Sequence, residues 1–433
     1  MRAARLVLLA PILLAVACAS DPVTPPGDAA LVDRVVQPDA PPLADAADAT
    51  SPPDGGAPTL DAPPPADTAN VDSGRADVPV DSSPADVPVD ASARSGADGL
   101  MAGYSCTCSV RSGTVRCWGV IASGMIPARR SVDAVVIPGV TDAVEVSMMY
   151  STHACARRAS GGVVCWGLND RGQLGDGTTT SRPEPVAVVG LSDAVGLAVG
   201  DSFGCALRRG GEVVCWGANV GQRGEAGVAM YPAPVAVMGI SDAVEIAAGG
   251  SIACARRAGG QALCWGYGEV AGIGGGGPDG RVAPTPVGEG VLEVDAGTNG
   301  VCLRLVDRVV CRGLFRTISG DGRPFPEDVA ITGVTQVALG GQSVYALRAD
   351  GTVVAWGSNM VGQLGVGTTR FMDTATPALG LTGVTAVTAH GFHACARLAN
   401  GEARCWGANG AGELGDRRAS GEMSLSPTAV TVD

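Results

Sequence analysis

The sequence predicts an all-β protein: a seven-bladed β-propeller of roughly fifty-residue repeats, preceded by a disordered Pro/Ala/Asp-rich tether. Three observations predict it. The tripeptide Cys-Trp-Gly, or a worn copy of it, recurs seven times after residue 100. Each copy is followed by Gly-rich turns and short stretches of period-two alternation. The preceding residues hold almost no aromatic side chain.

Residues 1–17 read as a signal peptide. Arg2 and Arg5 precede an apolar run, Leu6 to Val16, that is too short to span a bilayer and closes on Ala15-Val16-Ala17-Cys18. That closing segment resembles a bacterial lipobox, which implies that Cys18 becomes the lipidated first residue of the mature chain. Plain Ala-x-Ala cleavage, leaving Cys18 an ordinary thiol, is the competing reading. Residues 18–98 form the linker. Pro, Ala and Asp dominate it, as in Asp61-Ala62-Pro63-Pro64-Pro65, so it cannot bury enough apolar surface to offset the cost of ordering. Pro stiffens it and its fifteen Asp repel one another, which predicts an extended spacer of well over ~100 Å at roughly 3 Å per residue.

Nearly all of the formal charge of −13 sits on that linker, so residues from Met101 onward are close to neutral and show no basic stripe. Nucleic acid is therefore not an expected partner. Every basic residue is Arg, and without Lys there is no Schiff-base chemistry and no Lys-assisted phosphate transfer.

The repeat markers are Cys117-Trp118-Gly119, Cys165-Trp166-Gly167, Cys215-Trp216-Gly217, Cys264-Trp265-Gly266 and Cys405-Trp406-Gly407. Ala355-Trp356-Gly357 and Cys311-Arg312-Gly313 are the worn copies. All six Trp thus share one position, on the opposite sheet face from the preceding Cys, and are expected to fill the layers between blades. Downstream come a turn-rich stretch such as Asn169 to Gly177, a Pro-containing strand such as Pro183 to Val188, and an alternating segment such as Asp142-Ala143-Val144-Glu145-Val146. Each unit supplies about four short strands and no convincing helix.

A Trp-Gly after a strand, coupled with Asn-x-x-Gly-Gln-Leu-Gly at Asn169 to Gly175 and Asn359 to Gly365, resembles the regulator of chromosome condensation repeat family, over residues 99–433. Units one and five depart from it, with Ile121-Ala122-Ser123-Gly124 and Leu314-Phe315-Arg316 where Gly-Gln-Leu-Gly belongs. The resemblance implies a propeller. The family's founding member is a nucleotide exchange factor for a small nuclear GTPase, an activity that export and disulfides set aside here. A secreted bacterial relative that inhibits β-lactamases implies that a partner-binding role is feasible.

The cysteines carry a sharper inference. Cys155 and Cys165, Cys205 and Cys215, Cys254 and Cys264, and Cys395 and Cys405 are each ten positions apart across a hairpin whose three-residue turn ends in Gly. Directly opposed strand residues lie close enough for a disulfide. Unit six is an internal control, since both equivalent positions change together, to Tyr345 and Ala355. Cys108 with Cys117 and Cys302 with Cys311 are one residue closer, implying two-residue turns at Ser112-Gly113 and Val306-Asp307. Val tolerates positive φ poorly, which leaves the second of these registers open. Cys106 is left over: a free thiol, a substitute for Cys108 in its bridge, or half of an intermolecular pair. Disulfides imply a compartment outside the reducing cytosol.

No catalytic residue, cofactor or metal is expected. Zinc-binding Cys sit two to four residues apart rather than ten. His153 and His393 occupy matching repeat positions and read as structural, His390 belongs to no recognisable triad, and Gly274 to Gly277 lacks the Lys of a phosphate loop. Asp176 and Asp416 recur at matching turns as turn formers. The expectation is a monomeric, noncatalytic protein-binding or scaffold propeller, lipid-anchored at the bacterial cell envelope, on the outer membrane or cell surface. Its partner would be a protein or an envelope polysaccharide. The competing reading is a polysaccharide hydrolase or lyase with acids at the propeller channel.

Overall fold

The computed structural model describes residues 99–121, 129–150, 152–222, 229–268, 280–314, 327–418 and 421–431. The signal peptide, Cys18, the linker and the unit-five residues Phe315 and Arg316 lie outside them.

Seven four-stranded antiparallel sheets follow one another along the chain, each a meander of four consecutive strands. They occupy residues 100–136, 143–187, 194–236, 243–288, 293–330, 334–377 and 384–429, here blades 1 to 7. The first strand of every blade packs against the first strands of both neighbours. Leu100–Ala102 of blade 1 meets Val384–His390 of blade 7 in this way, so the ring closes into a seven-bladed propeller.

Hairpin chemistry sets the register within each blade. Gly161, Gly211, Gly260, Gly351 and Gly401 end three-residue turns at φ of +87°, +87°, +82°, +77° and +84°, which residues with a Cβ adopt only under strain. Ser112 and Gly113 both take positive φ, as a two-residue type I′ turn demands. At Val306-Asp307 the turn is also two residues long, closed by Leu305 N donating to Arg308 O at 2.9 Å. Both residues keep ordinary negative φ, so this register holds without forcing a β-branched side chain into the left-handed region. Six disulfides join directly opposed residues with Cα atoms 4.0–4.1 Å apart: Cys108–Cys117, Cys155–Cys165, Cys205–Cys215, Cys254–Cys264, Cys302–Cys311 and Cys395–Cys405. Cys106 stays outside them, buried, with its Sγ 3.3 Å from Met148 Sδ.

The core is a set of layers between blades rather than a central mass. In five of the seven layers the Trp of one blade packs on the cysteine pair of the blade before it: Trp166 with Cys108 and Cys117, Trp216 with Cys155 and Cys165, Trp265 with Cys205 and Cys215, Trp356 with Cys302 and Cys311, Trp118 with Cys395 and Cys405. Blade 5, with Arg312 in place of Trp, leaves the layer around Cys254 and Cys264 without one. All six Trp have no exposed surface. Each sits where the ladder from third to fourth strand shifts register, a bulge that re-aims the side chain.

The turn-rich loops after Trp166, Trp356 and Trp406 work as clamps on the next blade. Asn169 holds the loop by accepting from Leu174 N at 2.9 Å, and Asn359 and Asn409 do the same for Leu364 and Leu414 at 2.9 and 3.2 Å. So held, the blade 2 loop offers Gln173 O to Trp216 Nε1 at 3.0 Å, and Gly175 lies where a Cβ would stand 2.8 Å from the indole. The blade 7 loop offers Glu413 O to Trp118 Nε1 at 2.9 Å, which ties the last blade to the first.

Candidate functional site at the channel mouth

First strands expose a backbone edge that must find partners, and side chains of the adjoining blade supply them. Ser147 accepts from Val199 N at 3.1 Å, Glu293 from Val337 N at 3.0 Å, Asp295 from Leu339 N at 2.7 Å, and Thr388 from Ala102 N at 3.2 Å. Gln336 accepts from Val387 N at 2.9 Å and donates to Val387 O at 3.0 Å. Three inner-ring glutamates are also held by arginines of their own second strands: Glu145 by Arg157 at 2.7 Å, Glu245 by Arg256 and Glu293 by Arg304 at 2.8 Å. These acids act as acceptors within the scaffold. The first strands of all seven blades line a central cavity of about 90 Å³.

The loops joining first to second strands ring one mouth of this channel and are tied to each other by backbone bonds. Tyr104 N donates to Met149 O at 2.9 Å, Asp201 N to Gly250 O at 2.8 Å, and Gly341 N to Gly391 O at 2.9 Å. Aromatic rings from blades 7, 1 and 2 gather on one side. Tyr104 lies 5.2 Å from Tyr150, 6.0 Å from Phe392 and 6.4 Å from His390, and Tyr150 lies 6.0 Å from His390. Edge-on and tilted packing at these distances is favourable and leaves no cage between the rings, so they form a platform of which Tyr104, 39% exposed, is the outward face. Burial raises the Tyr150 phenol above its ordinary value, Asp201 and Tyr104 add to that, and Thr298 opposes it. Burial likewise raises the Asp201 carboxyl.

The three histidines are buried and neutral. Burial lowers His153 and His390 to about 4 and His393 to about 3. Thr107 Oγ1 donates to Glu413 O at 2.8 Å, so its 2.9 Å contact with His393 Nε2 requires that nitrogen to carry the proton. This Thr–His pair is locked in the seam between blades 7 and 1, with Thr107 fully buried and its hydroxyl committed to a carbonyl, an arrangement for docking blades rather than for attack on a substrate. Among the described residues no group of three His, Cys, Asp or Glu could hold a metal ion.

Spacing singles out the twelve hairpin cysteines and the six Trp, and the structure places all of them in the layers between blades. The platform residues Tyr104, Tyr150 and Phe392 and the Asp201 carboxylate share no residue type or motif across the repeats that would mark them. The available signal was variability: the loop before each second strand carries Tyr104, Tyr150, Asp201, Gly250, Thr298, Gly341 and Gly391 in an otherwise regular repeat.

Similarity to known proteins follows the same units. Residues 160–207 match the description "Regulator of chromosome condensation (RCC1) repeat", and a second description of the same repeat matches residues 144–173, 194–222, 334–363 and 384–413. No curated protein matches the sequence. Among solved structures, Prp20p from Saccharomyces cerevisiae, described with its binding properties to Gsp1p and histones, is similar at 19% identity and a TM-score of 0.65 over 79% of this chain and 88% of that one. Yeast RCC1 (Prp20) in complex with Kap60 is similar at 19% identity and a TM-score of 0.64, over 79% and 86%. At that identity the likeness shows the fold alone. The matched segments fall in blades 2, 3, 6 and 7, which are similar to RCC1 repeats.

Proposed function

We propose that the protein is a noncatalytic, partner-binding propeller displayed outside the cytoplasm. On this reading a lipid on Cys18 anchors it to the bacterial cell envelope, and residues 18–98 hold the propeller away from the membrane. The observation that carries the proposal is the contrast at the channel. The inner-ring acids are engaged by arginines and backbone amides, whereas the mouth presents an aromatic platform on a ring of rigidly linked loops. Exposed tyrosine on a preorganised scaffold is characteristic of protein-binding surfaces. A protein partner is favoured because the similar Prp20 structures are described with protein partners. Six disulfides accord with an oxidising compartment.

The test is capture from detergent-solubilised envelope with the full chain as bait, beside Tyr104→Ala. A partner retained by the wild type and weakened by the variant supports the reading. Release of reducing ends from envelope polysaccharide, lost in Asp201→Asn, would reverse it in favour of a hydrolase or lyase.

A further inference from the structure

The seven loops that join first to second strands carry one charged residue between them. They span residues 103–105, 149–152, 200–202, 250–251, 297–299, 340–342 and 391–392, and the charge is Asp201. Its carboxylate is half-buried, and among the described residues nothing donates to it, whereas Glu145, Glu245 and Glu293 of the first strands are each held by an arginine. Asp201 also belongs with the aromatic platform. Tyr150, whose ring lies 5.2 Å from Tyr104, comes from the loop between those of Tyr104 and Asp201, and the Asp201 charge acts on its phenol. Glycine makes room for the outward ring: at Gly391, with φ of +54°, a Cβ would stand 3.1 Å from Tyr104 Cδ2. His390, edge-on to both tyrosines, is lowered by burial to about 4, so near neutral pH it adds no cation beside the carboxylate.

We propose that this side of the channel mouth binds an arginine side chain of the partner protein, its guanidinium stacked on Tyr104 and its N–H groups donating to Asp201. The face of an aromatic ring is electron-rich and attracts a cation held within about 6 Å of its centroid. A guanidinium is planar, so it lies flat on a ring while its edge still pairs with a carboxylate. Lysine offers a point charge without that flat face. The half-buried setting of Asp201 strengthens the pairing, because a neighbour that replaces lost water interacts with it through less solvent. This proposal rests on the partner-binding reading and gives that partner a chemical character.

The experiment is saturation-transfer difference NMR, which registers weak binding, with the full chain and a short glycine–serine peptide carrying one central arginine. Its counterpart carries citrulline, which keeps the planar shape and drops the charge. The arginine peptide is expected to bind through its side-chain methylenes, about tenfold more tightly than the citrulline peptide. Asp201→Asn, which removes no hydrogen bond of the fold, is expected to weaken the arginine peptide about tenfold and to leave the citrulline peptide unchanged. Tyr104→Ala is expected to weaken both, and Glu212→Gln, in the turn between second and third strands of blade 3, neither. Equal affinity of the arginine peptide for wild type and Asp201→Asn, which is what capture by the Asp-rich linker alone would give, overturns the proposal, as does equal binding of the two peptides by the wild type. If envelope capture recovers a partner that Asp201→Asn holds equally well, the arginine site is wrong and the binding role stands. If the wild type captures nothing, the binding role fails and takes the arginine site with it.

Discussion

The layer between blades 2 and 3 and the layer between blades 6 and 7 solve one packing problem with different chemistry. In the first, Trp216 lies on the Cys155–Cys165 disulfide. In the second, Trp406 lies on Tyr345 and Ala355, with the Tyr345 and Trp406 rings edge-on at 6.1 Å. Both hairpins nevertheless pair in the same register, Cys155 opposite Cys165 and Tyr345 opposite Ala355. The Tyr345 hydroxyl also takes over the loop carbonyl, donating to Gln363 O at 2.6 Å, and Trp406 Nε1 is left without an acceptor. The difference teaches that sulfur is not needed to set the register. It provides volume under an indole and restricts the unfolded chain.

Removing the indole should break the layer hardest. Trp216→Ala is expected to cost about 3–5 kcal/mol in chemical denaturation, and Trp406→Ala about 1 kcal/mol less, because only Trp216 also loses a hydrogen bond. Equal losses would deny the clamp its separate role. Next, replacing Cys155 and Cys165 together by Ala should lower stability by about 2–3 kcal/mol through loop-closure entropy, while hydrogen exchange still reports a paired hairpin, as blade 6 leads one to expect. Loss of that protection would show that the bond dictates register after all.

Acid sharpens the comparison further. His153 in blade 2 and His393 in blade 7 occupy the place that Ser343 fills in blade 6. Burial lowers both histidines, so their neutral forms favour the fold fully above pH ~6.5. That contribution is lost as pH falls towards 4 for His153 and towards 3 for His393, at about 1.4 kcal/mol per pH unit for each group. His153→Ser, which installs the blade 6 residue, should flatten the stability profile over that window; an unchanged slope would remove His153 from the account. Smallest is Tyr345→Phe, expected to cost about 1 kcal/mol for one buried hydrogen bond, read as a shift in the denaturation midpoint.

How much of this could be read in advance depends on whether a residue's role repeats. Hairpin pairing was legible because it is local: Cys ten positions apart with Gly closing the turn admits one register, and Ser112-Gly113 spells its own turn type. The Val306-Asp307 turn was not, because its φ angles follow from strand pairing around it rather than from the two residues. The channel mouth was also hidden. Tyr104, Tyr150, His390 and Phe392 come from three blades at the two ends of the propeller sequence, and only closure of the ring brings them within 6.4 Å or less of Tyr104.

Every sheet in the ring is made from one uninterrupted stretch of chain, and the seam between the last blade and the first is bridged by bonds that each involve a side chain, Trp118 to Glu413, Ala102 to Thr388 and Thr107 to His393. Among the described residues no strand is lent from one end of the propeller to complete a sheet at the other. Tandem duplication or loss of a single encoded unit would therefore add or delete a whole blade without cutting any ladder, leaving ring circumference to be set by how many wedges the seam can accommodate.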